Sequence, residues 1–181
     1  AEDISLSEYQ QVMDVNFYGT LRMLKAVLPL MRANNKGRIV LFSSINGLLA
    51  TPYEGAYVAS KHALEGLGEC LNMELVPFHI KVMTVEPGDH QGGSRRYRPH
   101  TRHRQAVYED SFVRVTERIA RDEDTGGDPQ RLGEKVARML AKKRMPSRLR
   151  VASFSQQGAV FLHDMLPGDL FLRLIARYYR V

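Results

Sequence analysis

The sequence predicts an α/β fold built on a parallel sheet. Helical and strand-like stretches alternate along the 181 residues, the strand-like runs are short and apolar, and turn residues separate one from the next. Parallel strands need crossover connections, usually helices, and a sheet covered on both faces carries continuous apolar runs.

The elements follow in order. Ser5-Leu6-Ser7-Glu8 fits a capping box, with Ser5 as N-cap and Glu8 reaching back to it. Met13, Phe17, Leu21, Leu24, Leu28 and Met31 then recur at one-face helical spacing, which predicts a helix over about 6–33. Pro29 is expected to kink or shorten its last turns. Asn34-Asn35-Lys36-Gly37 is a stop signal, with Gly37 expected in a left-handed cap. Arg38 to Ser43 reads as a strand buried on both faces, and a Gly- and Pro-containing loop leads to a helix over about 56–75. That helix carries Leu64, Leu67, Leu71 and Leu75 on one side and a stripe of small residues, Ala56, Ala59, Ser60, Ala63 and Gly66, beside it. Ile80 to Val85 is a second strand ended by Pro87-Gly88. Residues 89–105 read as a loop, helical patterns cover about 106–122 and 129–142, and Arg148 to Ser153 gives a third strand. The tail, about 156–180, mixes apolar clusters with Arg173, Arg177 and Arg180 around Pro167-Gly168.

Composition narrows the class. Hydrophobic residues make up 44%, an ordinary globular share, which indicates neither disorder nor a fibrous fold. The net charge of +6 invites an anionic partner without naming one. One cysteine, Cys70, excludes an intrachain disulfide framework; its place beside helical leucines predicts a small core residue. The acidic opening Ala1-Glu2-Asp3 does not resemble a secretory leader, and no run is long enough to suggest a membrane span. A cytoplasmic protein is the expectation.

Chemistry concentrates in Ser44, Tyr57 and Lys61. Tyr57 and Lys61 share one face of a helix, and Ser44 ends a strand, where open parallel sheets bind ligands. A free tyrosine has a pKa of about 10, too high for a base at neutral pH. A neighbouring ammonium favours the phenolate, and a serine hydroxyl can hold a substrate oxygen. His62 follows Lys61 and is expected to point away from the site; His79, His90, His100 and His103 lack metal-ligand spacing, and no metal is expected.

Further motifs flank this trio. Gly37-Arg38-Ile39-Val40-Leu41-Phe42-Ser43-Ser44 is followed by Gly47, Pro52 and Tyr57-Val58-Ala59-Ser60-Lys61, with Asp14-Val15-Asn16-Phe17-Tyr18-Gly19 upstream and Val85-Glu86-Pro87-Gly88 downstream. Together and in this order they resemble the short-chain dehydrogenase/reductase family over about 16–92. The resemblance implies a partial Rossmann-type doubly wound parallel sheet in three α/β/α layers, read as a single domain over 1–181 with a substrate loop at about 89–128. It implies an oxidoreductase that moves hydride between NAD or NADP and an alcohol or carbonyl. Tyr57 is then the acid/base, Ser44 positions the substrate oxygen, and Lys61 binds the nicotinamide ribose and tunes Tyr57. Asn16 holds a relay water, and Pro87 and Gly88 border the nicotinamide. The implied partners are a small alcohol or ketone, lipophilic by analogy, and further copies of the chain in a homodimer or homotetramer.

The sequence also departs from the family. It holds no Thr-Gly-x-x-x-Gly-x-Gly loop for the pyrophosphate, so a longer parent chain is the expectation; the threonine that often follows the Pro-Gly turn is Gly92. The alternative reading is a non-catalytic remnant that acts by binding. The basic cluster Arg95, Arg96, Arg98, Arg102 and Arg104 is read as a solvated loop, with no nucleic-acid motif beside it.

Overall fold

The computed structural model describes residues 2–92 and 105–181. Helix α1 (Leu6–Met13) starts on the expected capping box: the Ser5 side chain accepts from Glu8 N–H, and the Glu8 carboxylate accepts from Ser5 N–H at 2.9 Å. A π-helical segment (Asp14–Tyr18) joins it to α2 (Gly19–Ala33), so the expected long helix carries a mid-course bulge that periodicity did not signal. Pro29 lies inside α2, which continues to Ala33.

The turn after α2 departs from expectation. The left-handed residue is Asn35, with φ 50°, whereas Gly37 opens strand β1 (Gly37–Phe42). Asparagine tolerates that backbone region. Gly37 answers a different need: a Cβ there would meet the Met31 side chain, with Sδ 2.6 Å away.

A short 3₁₀ turn (Ile45–Gly47) leads through a loop to α3 (Gly55–Glu74), and a second 3₁₀ turn (Val76–Phe78) leads to β2 (Ile80–Pro87). Pro87 is therefore the last residue of the strand and not its stop. Helices α4 (Ala106–Asp124) and α5 (Pro129–Ala141), strand β3 (Arg148–Val151), and helices α6 (Phe154–Met165) and α7 (Gly168–Tyr179) complete the order. Within the stretch expected as a substrate loop, Ala106–Asp124 is helix α4. The tail is two helices separated at Leu166-Pro167, because proline cannot continue the first. The five arginines of the basic cluster lie outside the described residues, as do His100 and His103.

The sheet is parallel throughout, in the order β1-β2-β3, with Phe42 opposite Val85 and Val85 opposite Leu149. Side chains alternate across it, and each face has its own core. Ile39, Leu41, Ile80 and Val82 pack with Leu24 of α2 and with Leu71 and Leu75 at the end of α3. On the opposite face Met83, Val85 and Leu149 pack with Val136 of α5. The result is the expected helix–sheet–helix sandwich with β2 at its centre.

Strand β1 is only partly buried. Ile39 and Leu41 are covered, but Phe42 is 49% exposed, because β1 lies at the edge of this sheet. A third cluster joins Ile45 and Leu49, just after Ser44, to Val160 of α6 and Phe171 of α7. Cys70 is exposed and not a core residue; it falls just before Leu71, one helical step off the buried side.

Candidate active site

Because β1 and β2 are parallel, their carboxyl ends open on one edge of the sheet. Ser43 N–H donates to Val85 O at 2.9 Å, so the chain leaving β1 stays beside β2 as far as Pro87-Gly88. The Ser44 hydroxyl is buried there. It accepts from Asn46 N–H at 3.1 Å, which caps the turn Ile45–Gly47, and points toward Pro87 O at 3.5 Å. The bond it donates is long and weak, whereas the one it accepts is ordinary. The proton of this hydroxyl is therefore the part that can turn to another acceptor.

Helix α3 begins at Gly55 and presents Tyr57 and Lys61 one turn apart. The Lys61 ammonium lies 5.5 Å from the centroid of the Tyr57 ring and donates to the carbonyl oxygen of Phe42 at 2.8 Å. Burial pushes its pKa down from 10.5 to about 8. The strand end is tied to the helix a second time, by Ser43 Oγ donating to Lys61 O at 3.4 Å. Gly47 is required for this approach, since a Cβ would stand 3.0 Å from Lys61 O and collide with Ser43 Oγ.

Asn16 lies in the π-helical segment and points at α3, half-buried. Its Nδ2 donates to Ser60 Oγ at 3.0 Å, and Ser60 in turn donates to Tyr57 O at 2.7 Å. Its direct partner is therefore the residue before Lys61. The Asn16 carbonyl accepts from Thr20 Oγ1 at 3.0 Å. Gly88, the first residue after β2, lies close to α6: a Cβ there would overlap Gln156 and come within 2.8 Å of the Ala152 Cβ. His62 is exposed and engages Val58 O on its own helix at 3.0 Å. Among the described residues, no group of histidine, cysteine and carboxylate side chains could hold a metal ion.

Sequence reasoning missed a charged cluster beneath this edge. Glu86, in the centre of the sheet and 1% exposed, accepts from Arg150 Nε at 2.8 Å and from Arg148 Nη1 at 3.4 Å. Glu65, one turn beyond Lys61 on α3, is also buried, with Arg148 Nη2 at 3.5 Å. Burial raises the Glu65 pKa, the Ser43 hydroxyl opposes that, and Glu86 reinforces it. The only signal for this cluster was a glutamate among the apolar residues ending β2, facing two arginines in β3.

Known proteins place these residues in a family. The model of the short chain dehydrogenases matches residues 1–102, which hold Asn16, Ser44, Tyr57, Lys61, Pro87 and Gly88 in order. The chain belongs to the short-chain dehydrogenase family. It is 36% identical to a 3-ketodihydrosphingosine reductase of Bacteroides thetaiotaomicron over 176 residues, 96% of this chain and 65% of that protein. A short-chain dehydrogenase from Streptomyces avermitilis superposes with a TM-score of 0.73 at 24% identity, covering 99% of this chain and 62% of the other; it shows the fold alone. A 3-oxoacyl-[acyl-carrier protein] reductase from Brucella melitensis, solved with NAD bound, gives a TM-score of 0.61 at 25% identity, over 82% of this chain and 52% of that one. The chain spans between half and two-thirds of the curated dehydrogenases it matches along nearly its whole length.

Proposed function

We propose that this chain carries the proton-transfer half of an NAD- or NADP-dependent oxidoreductase that interconverts an alcohol and a carbonyl. The observation that carries the reading is the Lys61 ammonium at 5.5 Å from the Tyr57 ring, on the edge of the sheet where Ser44 is buried.

Tyr57 is the acid/base. With Lys61 protonated, the adjacent positive charge favours the phenolate, which takes the alcohol proton; in the opposite direction the phenol returns it to the forming alkoxide. Ser44 holds the substrate oxygen. Asn46 N–H donates to Oγ, which polarises the hydroxyl and makes it a better donor toward that oxygen. Asn16 braces the helix through Ser60 and, through a bound water, passes protons between Lys61 and solvent.

The residues present fit a nicotinamide ribose. An ammonium has three N–H donors, and the contact with Phe42 O uses one, which leaves two for ribose hydroxyls. The nicotinamide dinucleotide would supply the hydride donor or acceptor. Tyr57 and Lys61 would hold its ribose, with Pro87 and Gly88 beside the ring.

A lipophilic ketone or alcohol is the substrate class, in keeping with the sphingoid ketone named for the Bacteroides relative. Exposed Val15, Met23 and Leu30 along α1–α2 and Met73 on α3 are suited to contact between copies, so the assembly is a homodimer or homotetramer. Tyr57→Phe tests the reaction. Turnover of a long-chain ketone with NADPH or NADH should vanish while cofactor binding persists, and undiminished turnover would overturn the assignment.

A further inference from the structure

Tyr53 stands in the loop between the Ser44 turn and Tyr57 with φ 64°, a left-handed backbone that a bulky residue adopts only when its surroundings hold it there. Two contacts hold it. Its hydroxyl is hydrogen-bonded to Ser111 Oγ, and its ring meets Phe112 edge-on, with centroids 5.4 Å apart and planes at 72°. Both partners belong to α4, far away in the sequence. Ser111 is itself fixed by donating to Tyr108 O at 3.1 Å.

The same loop is bonded to the catalytic turn. Glu54, the next residue, accepts from Asn46 Nδ2 at 3.0 Å, and Thr51 Oγ1 donates to Asn46 Oδ1 at 3.2 Å. Both ends of the Asn46 side chain are thus committed to the Tyr53 loop, while its backbone N–H is the donor that fixes Ser44 Oγ. The connection runs from Ser111 and Phe112 to the Tyr53 side chain, along the backbone to Glu54, and through the Asn46 side chain and its backbone N–H to Ser44.

We propose that Tyr53 is a positioning residue that couples α4 to the orientation of the Ser44 hydroxyl, with Asn46 as the link. A substrate that presses on α4 would then set the group that receives its oxygen. The strained backbone at Tyr53 makes the link two-way, because a shift of α4 releases a conformation the loop would not keep unaided. The proposal rests on the role of Ser44 proposed above, but its test does not require turnover.

The test is hydrogen–deuterium exchange on the chain and on two variants, Ser111→Ala and Tyr53→Asn. Asparagine accepts the left-handed backbone, and thermal melts check that each variant folds. The Asn46, Gly47 and Leu48 amides report on the turn, and the first turns of α4 report on the helix. Ser111→Ala should speed exchange of the Asn46 amide about fivefold, as expected for loss of one hydrogen bond, even though the change is made on α4. Faster exchange confined to α4, or no change in either segment, would overturn the coupling. In turnover assays Ser111→Ala should lower kcat, whereas a merely structural contact in α4 would raise KM alone. Tyr57→Phe should leave the exchange pattern intact, so failure of the proposed reaction and failure of the coupling are separate outcomes.

Discussion

Lys61 Nζ donates to the carbonyl oxygen of Phe42 at 2.8 Å, which fastens the helix that carries Tyr57 and Lys61 to the last residue of β1. Ser43 N–H pairs with β2, and alternate residues of a strand direct their backbone groups to opposite sides. The Phe42 carbonyl therefore points away from β2, and the ammonium satisfies an acceptor that this sheet leaves unpaired.

Lys61 should give the chain a characteristic pH response. Its proton is held less tightly in the folded state, at about 8, than at the ordinary value of 10.5. Between those values unfolding takes up a proton, so this group makes stability rise as pH rises from about 8 to 10.5. Lys61→Met should flatten the rise, which thermal melts across that range would show.

Tyr179 on α7 acts with the opposite sign. Burial raises its pKa from 10.0 to about 12, so its contribution is complete below pH 10 and is lost as pH climbs through 12. Tyr179→Phe should remove that alkaline loss. The two groups together predict a maximum in stability near pH 10, measured against the variants.

Leu64 on α3 is 2% exposed. Leu64→Ala should cost ~2–5 kcal/mol, the range for a leucine deleted from a packed core, as read from urea unfolding. A smaller cost would mean that α3 settles into the space.

Glu86 gives a sharper test of the buried charge. Arg150→Ala removes its shorter bond and leaves a carboxylate 1% exposed with Arg148 alone. That should destabilise by ~1–3 kcal/mol at neutral pH, and Glu86→Gln in the same chain should recover part of the loss. A double-mutant cycle by denaturant melts measures both.

Gly88→Ala should weaken nicotinamide cofactor binding. The methyl group would displace the end of the Gln156 side chain and crowd Ala152, just before α6. A fluorescence titration with NADH against the unchanged chain reads the effect; equal affinity would place Gly88 outside the cofactor site.

The elements legible in the sequence were those fixed by local rules. Ser5 and Glu8 announced a helix start, and Tyr57 and Lys61 were bound to share a face once their helix was recognised. What escaped depends on contacts distant in sequence. The π-helical segment reflects where Asn16 meets Ser60, and Tyr53 owes its backbone to α4, so neither leaves a local trace. Cys70 and Gly37 were misread for a related reason. A one-residue phase error moves a helical side chain about 100° around the axis, and glycine's small size served packing on Met31 and not a left-handed turn.

The π-helical segment has a consequence for insertions and deletions. One residue advances a helix by about 100°. Deleting a single position within Asp14–Tyr18 would let α1 and α2 merge into one regular rod, but would swing α1 about its axis. Tyr9, whose hydroxyl reaches Gly55 O at the start of α3, would turn off its target while α2 kept its grip on the sheet. Along this rod, chain length acts as an angular setting, and a shift of one residue would be felt more than many changes of side chain.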